Sequence, residues 1–353
     1  METFDSTRTE RVVTVNQSPD MPRHPHRFLR ILGAVLMLLI FGACSSPLGS
    51  GSSLTTLDPV STQGRSIYHQ FVAVMVISAL VLFLVLGLVA WVMLHFRGQP
   101  GDPEPDQVSN SRTLEIIWIS IPIMILVGMF VYMIQTMRTV DARQTNPIVI
   151  SVIGHQWWWE YKYPGQGFDT ASELHIPVNT PVTLKITGAD VIHSFWVPQL
   201  GWKQDAIPGK TNTMNLTVTK AGTFDGTCAE FCGTEHAWMR IRVIAEPLDQ
   251  FNAWVQQQQQ PAAPPATALA RQGQQIFQSN SCVNCHGNAA VAPNLTHFGS
   301  REWIGSGVLD NTPENLARWI NGVKQVKPGA LMPAFNFSQS ELNALVAYLE
   351  GQK

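Results

Sequence analysis

The sequence lacks a basic stripe: its 23 Lys and Arg residues are scattered over 353 positions and outnumbered by 25 Asp and Glu, for a formal net charge of −2. That absence excludes the electrostatic footprint of a nucleic-acid-binding surface, and no nucleic acid is expected among the partners. Cysteine is scarce and odd in number. Only Cys44, Cys228, Cys232, Cys282 and Cys285 occur, and an odd count in an exported chain is not a simple disulfide framework. Each thiol therefore needs its own explanation. Residues 147–246 also lack any helical stretch of useful length, so whatever folds there is built from short strands.

What is present changes character along the chain. Arg23, Arg27 and Arg30 precede an apolar run over residues 31–41 and small residues before Cys44, the pattern of an export signal. The run is short for a membrane span. Phe41-Gly42-Ala43-Cys44 resembles a bacterial lipoprotein box, in which Cys44 would be acylated; Phe41 departs from the usual Leu, and an ordinary signal peptide or an uncleaved helix are the alternatives. Residues 1–43 are thus expected as a signal peptide and 44–66 as a polar tether. Residues 71–94 and 116–134 are apolar runs long enough to cross the ~30 Å hydrocarbon layer, separated by a polar, proline-containing loop. They predict a transmembrane hairpin within residues 67–140. An exported N-terminus places both hairpin ends outside. Glu115, at the start of the second run, fits either a carboxylate favoured by the helix dipole or a site of proton uptake.

From about 147 to 247 short β-branched and aromatic runs alternate with Gly and Pro, as in a small β-sandwich. Residues 213–219 show this best, with Met214, Leu216 and Val218 alternating with polar neighbours. The decisive segment is Cys228-Ala229-Glu230-Phe231-Cys232-Gly233-Thr234-Glu235-His236-Ala237-Trp238-Met239. Thiolate and thioether are soft ligands that favour copper, and two cysteines on one tight loop can share their sulfurs between two metal ions. A Cys228–Cys232 disulfide, a Cys₂His₂ zinc site using His193, and Met239 as a core residue are the competing readings.

On these residues the segment resembles the binuclear copper motif, CuA, of cytochrome c oxidase subunit II. The resemblance implies a cupredoxin-like domain whose copper ligands are His193, Cys228, Cys232, His236, Met239 and the carbonyl of Glu230, with the Glu230 side chain facing a magnesium site shared with the catalytic subunit. Gly154-His155-Gln156-Trp157-Trp158-Trp159 is similar to the family's aromatic patch, which makes Trp157 the residue that receives electrons and leaves Trp158 and Trp159 to core or interface contacts. The runs 190–194 and 203–209 match as well; the resemblance implies that their Asp190 and Asp205 lie near the docking and magnesium region, whereas as lone carboxylates they would ordinarily be solvated.

Residues 248–267 are rich in Gln, Pro and Ala and are expected to form a linker, with a flexible-chain span of about 25 Å that lets the next domain search for its partner face. Beyond it, Cys282-Val283-Asn284-Cys285-His286 is a C-x-x-C-H haem-attachment motif: two thioethers hold the porphyrin and His286 binds iron. Met332, before Pro333, is the expected second axial ligand, His297 the rival. The Met332 segment resembles the methionine loop of small class I cytochromes c. Leu342, Leu345, Val346 and Leu349 at helical spacing close this domain, 268–353, as a terminal helix.

The expected chain is therefore multidomain: a two-helix transmembrane hairpin, a cupredoxin-like β-sandwich, and an all-α class I cytochrome c domain. The resemblance implies the electron-receiving subunit of a terminal respiratory oxidase in a bacterial cell membrane, with both redox domains on the periplasmic side. It further implies oxidase subunit I and other oxidase subunits as partners, together with membrane lipid and an external donor such as cytochrome c or a cytochrome bc complex. Oxygen reduction coupled to proton translocation would belong to subunit I. The alternatives are a CuA-bearing subunit of a nitric-oxide reductase and a lipid-anchored relay cytochrome with no oxidase.

Overall fold

A computed structural model describes residues 54–98, 101–104, 111–287 and 291–353. Cys44 and the expected signal lie outside the described residues. The described residues open with two long helices, α1 (Thr62–His95) and α2 (Arg112–Val140). At 1.5 Å per residue both exceed the hydrocarbon thickness. Their apolar side chains are exposed along most of their length, and both meet the length and composition needed to cross a membrane. Glu115 falls in the first turn of α2.

The expected tether ends sooner than its assigned boundary at residue 66. Val60 is buried and its N–H donates to the Gln199 carbonyl at 2.8 Å. Ser61 caps α1 by accepting from Gly64 N, while its own hydroxyl donates to the Leu200 carbonyl. Gln63 accepts the Thr217 N–H at 3.0 Å, and Thr217 in turn donates its hydroxyl to Gln144, just past α2. A lone Val between Pro59 and Ser61 gives no periodic signal. Its partners lie about 140 residues away in sequence.

The next domain is a two-sheet sandwich of ten strands: β1 (Ile148–His155), β2 (Trp158–Tyr163), β3 (Phe168–Ala171), β4 (Glu173–Pro177), β5 (Val182–Gly188), β6 (His193–Trp196), β7 (Gln204–Ala206), β8 (Asn212–Leu216), β9 (Gly222–Cys228) and β10 (Arg240–Glu246). One sheet runs β3-β2-β1-β5-β8 and the other β4-β10-β9-β6-β7. Alternation buries Ile150, Val152, Tyr161, Leu184 and Ile186 from the first against Leu174, Ile176, Phe195, Ile241 and Val243 from the second. Trp159 lies in this core, edge-on to Phe195 at 5.6 Å between ring centroids.

The expected linker over 248–267 needs correcting. Its first half is a helix, α3 (Leu248–Gln258). Phe251, Trp254 and Val255, at i, i+3 and i+4, form one apolar face: Phe251 and Val255 are buried, and Trp254 stacks on His175 at 4.0 Å. Four of the other positions are glutamine, at 250 and 256–258, and they continue into Gln259 and Gln260, which is why composition alone read as linker. Gln259 and Gln260 are held too, by hydrogen bonds to the Gln166 carbonyl and from His297 Nε2.

The last domain contains α4 (Ala268–Ser279), α5 (Cys282–His286), α6 (Pro313–Val326) and α7 (Gln339–Glu350), with a two-residue hairpin, β11 (Trp303–Ile304) and β12 (Leu309–Asp310). Thr267 and Thr312 cap α4 and α6, and Ser338 with Glu341 forms a capping box on α7. Helix α4 crosses α7 at Gly273, where a Cβ would overlap the Ala344 carbonyl. Gly273→Ala gains about 1 kcal/mol of helix propensity, but its overlap is with backbone and costs about 3 kcal/mol. A net loss near 2 kcal/mol should lower the thermal midpoint of this domain by roughly 10 °C in calorimetry.

Candidate metal and haem sites

Strands β6 and β9 pair antiparallel with Phe195 opposite Cys228. This sets His193, at the head of β6, beside the loop that leaves β9. The loop closes when Cys228 N donates to the Met239 carbonyl at 3.0 Å and Ala229 N to the Ser194 carbonyl at 2.9 Å. Between them His236–Trp238 forms a 3₁₀ turn. Gly233, at φ +118°, makes the reversal that brings His236 back.

Six sequence-predicted donors converge as a result. Cys228 Sγ lies 3.8 Å from Cys232 Sγ, which lies 3.8 Å from Met239 Sδ and 3.5 Å from His236 Nδ1. The nearest ring nitrogen of His193 and both sulfurs lie within 4.8 Å of one another. The Glu230 carbonyl is 3.3 Å from Cys228 Sγ. Both thiols are free, and the separation is far from the ~2.05 Å of a disulfide. The contact between them lowers the pKa of the Cys228 thiol and raises that of Cys232, with burial adding to the rise.

His193 is fully buried, and its Nδ1 has no hydrogen-bond partner. Its Nε2 meets Asp190 Oδ1 at 2.8 Å. Burial opposes a charge on this ring, but Cys228 and Asp190 outweigh it and raise the pKa. A buried imidazole nitrogen without a partner, turned toward two sulfurs, is the donor set a soft metal needs. Asp190 is more than a solvated carboxylate: its oxygens also accept the N–H groups of Gln156 and Val191, each at 2.6 Å. Asp205 accepts from Ser194 Oγ at 2.8 Å, inside the β6–β7 pair. The Glu230 side chain is exposed, with Lys203 Nζ 3.9 Å away.

Trp157 touches both halves of the chain. Its indole N–H donates to the Cys232 carbonyl at 3.0 Å. With Gln156, Trp158 and Ser172 it also lines a cavity of about 250 Å³ whose remaining wall is the last domain. Cys282, Cys285, His286 and Met332 all line that cavity. His286 Nδ1 donates to the Pro293 carbonyl at 2.8 Å, which leaves Nε2 as the acceptor, and burial lowers its pKa so that the ring stays neutral. The pairing of an apolar cavity, two free thiols and a neutral imidazole fits a haem. His297, the rival ligand, is turned away to the Gln260 carbonyl.

Sequence reasoning missed four charged residues around these sites. Arg301 lines the haem cavity; its Nε has no partner, and burial lowers its pKa to about 10, leaving it charged. Glu173 and Glu235 are buried, and Lys327 is buried with its pKa lowered to about 8 by desolvation. Only Glu235 had a sequence signal, as a carboxylate inside the cysteine loop.

An anchoring helix pair, a sandwich with a soft-donor cluster and a helical domain with a haem cradle define a class, a membrane-anchored electron-transfer protein with two redox centres. Family profiles match in three blocks: "Cytochrome C oxidase subunit II, transmembrane domain" over residues 52–135, its "periplasmic domain" over 166–246, and "Cytochrome C oxidase, cbb3-type, subunit III" over 268–349. Cytochrome c oxidase subunit 2 of Alkalihalophilus pseudofirmus is 39% identical over 313 residues, covering 85% of this chain and 91% of that protein. The Bacillus sp. PS3 protein of the same name is 34% identical over 346 residues, covering 90% and 95%. A crystal structure of the periplasmic domain of subunit II of cytochrome oxidase from Bradyrhizobium japonicum is 36% identical over 33% of this chain and 95% of its own, with a TM-score of 0.31.

The chain belongs to the cytochrome c oxidase subunit II family. It is a subunit of cytochrome c oxidase that receives electrons, a membrane protein with an extracellular domain whose partners are other oxidase subunits. The family implies copper in the sandwich and haem in the last domain.

Asp190 orients His193 and ties down the backbone of Gln156. Removing such an outer-shell carboxylate costs roughly 10- to 100-fold in metal affinity. Asp190→Ala should weaken copper binding by that factor in a competitive chelator titration, with the haem content unchanged.

Proposed function

We propose that this chain takes electrons from an external donor at its cytochrome domain, passes them across Trp157 and delivers them from the sandwich to oxidase subunit I, where oxygen is reduced to water and protons are translocated. When bound, a haem c and a copper pair supply reversible one-electron storage at the two sites. His193, Cys228, Cys232, His236, Met239 and the Glu230 carbonyl would hold the copper pair, and the exposed Glu230 side chain, beside Lys203, would meet magnesium at the subunit I interface. Cys282 and Cys285 would form thioethers to the haem, His286 and Met332 its axial bonds. Arg301 would face the cofactor's carboxylates.

The observation that carries the reading is the double contact of Trp157. One residue forms part of the haem-cavity wall and hydrogen bonds to the backbone of a copper-loop cysteine. That supports a short route from the cavity wall through one hydrogen bond to the copper loop. A cytochrome c or a cytochrome bc complex suits the donor role, and the periplasmic side of a bacterial cell membrane suits the extracellular domain. Acylation of Cys44 would add a lipid anchor, and Glu115 would serve proton uptake.

The purified oxidase should carry two coppers and one acid-stable haem per copy of this chain. Zinc, or a haem extractable with acid acetone, would exclude the assignment. Cys232→Ser replaces a soft thiolate with a hard hydroxyl, and the mixed-valence copper spectrum should disappear. Trp157→Ala should slow copper reduction after haem reduction, with copper and haem contents at wild-type values. Loss of copper from that variant would make Trp157 a structural residue instead.

A further inference from the structure

The seam between the sandwich and the cytochrome domain holds a charged side chain in an unusual setting. Lys327 is 3% exposed. Its ammonium donates to three carbonyls, each at 2.9 Å: Trp157 and Trp238 of the sandwich, and Gly305 of its own domain. An ammonium has three donors and no acceptor, so its capacity is filled. Burying a charge is unfavourable unless it is fully hydrogen-bonded. The three carbonyls therefore admit this lysine in one relative placement of the domains and penalise others.

Neighbouring contacts repeat the pattern. Gly329 N donates to Glu235 Oε1 at 2.5 Å, and a Cβ at Gly329 would come within 2.5 Å of Thr234 Oγ1 and 2.8 Å of Glu235 Cγ. Glu173 Oε1 accepts the N–H groups of Glu302 and Trp303 at 2.7 and 3.0 Å. The Arg242 guanidinium lies 3.5 Å from the centroid of the Trp303 ring and pairs with Glu302. Arg240 N donates to the Ser306 carbonyl, and Ser306 Oγ donates back to the Arg240 carbonyl, both at 3.2 Å. These bonds join two domains that the sequence suggested were merely tethered.

We propose that Lys327 is a positioning residue, a lock that seats the cytochrome domain in one orientation with Trp157 between the two centres. The inference rests on the electron path proposed above, which gives the seating its purpose. Electron transfer then starts from a standing contact rather than from a search by the domain on its linker.

Two measurements on the intact oxidase test this. Backbone N–H groups of Glu302, Trp303 and Gly329 are bonded across the seam, so their hydrogen exchange reports seating directly. Lys327→Met keeps the side-chain length and strands the carbonyls; exchange at 302–303 and 329 should rise by about tenfold or more, while amides of β1 and β5 stay protected. Flash-induced copper reduction should be independent of solvent viscosity in the wild type, and slower and viscosity-dependent in the variant. Gly329→Ala wedges the same seam without touching the charge and should give the same signature, which keeps the test decisive if Lys327→Met does not assemble. Unchanged exchange at the seam in the variants, or a wild-type rate that falls as viscosity rises, overturns the lock. A loosened seam with an unchanged transfer rate supports the lock and overturns the electron path instead.

Discussion

The pairing of β6 with β9 is the contact on which the rest of the molecule depends. Because side chains alternate along a strand, a slip of one residue would turn His193 out of the cluster and bring Ser194 into its place. The register places Phe195 in the core opposite Cys228, so the same hydrophobic burial that stabilises the sandwich also fixes an imidazole beside a thiol. Everything downstream follows from that position. The loop closes on Met239, the Cys232 carbonyl reaches the Trp157 indole, and Trp157 in turn helps to wall the haem cavity.

This chain of contacts is short in space and long in sequence. Asp190, Gln156, His193 and the cysteine loop come from three separated stretches, yet one carboxylate ties the first three together. The cytochrome domain then packs against that arrangement. Its bonds to the sandwich pair a side chain on one side with a backbone group on the other: the Glu173 and Glu235 carboxylates accept N–H groups of the cytochrome domain, and the Lys327 ammonium donates to the Trp157 carbonyl. Docking through such pairs needs little backbone rearrangement on either side, which suits a contact between two rigid electron carriers.

The features legible in the sequence are those with local signals. Two apolar runs, the cysteine loop and C-x-x-C-H each fall within a few turns of chain, and each was found with its residues. Alternation in 213–219 likewise marked a strand, although β8 stops at Leu216 and Val218 instead bridges to Ser61. What could not be read was non-local. Lys327 looks like any loop lysine until Trp157 and Trp238, 170 and 89 residues away, are brought beside it. Helix α3 was hidden by its glutamines, since three apolar residues on one face are too few to stand out from a polar background, and only the sandwich surface gives them something to cover. The residues before α1 failed for the same reason.

Those residues before α1 also have a mechanical effect. The backbone at Val60 and Thr62 and the side chains of Ser61 and Gln63 bind the start of α1 to the sandwich, while Gln144 binds the chain just past α2 to Thr217. With both legs of the hairpin clamped, the sandwich has no free swivel about the membrane normal. Its azimuth and its height above the lipid are inherited from the two helices, so whichever protein grips the hairpin inside the bilayer also dictates which side of the sandwich it sees outside.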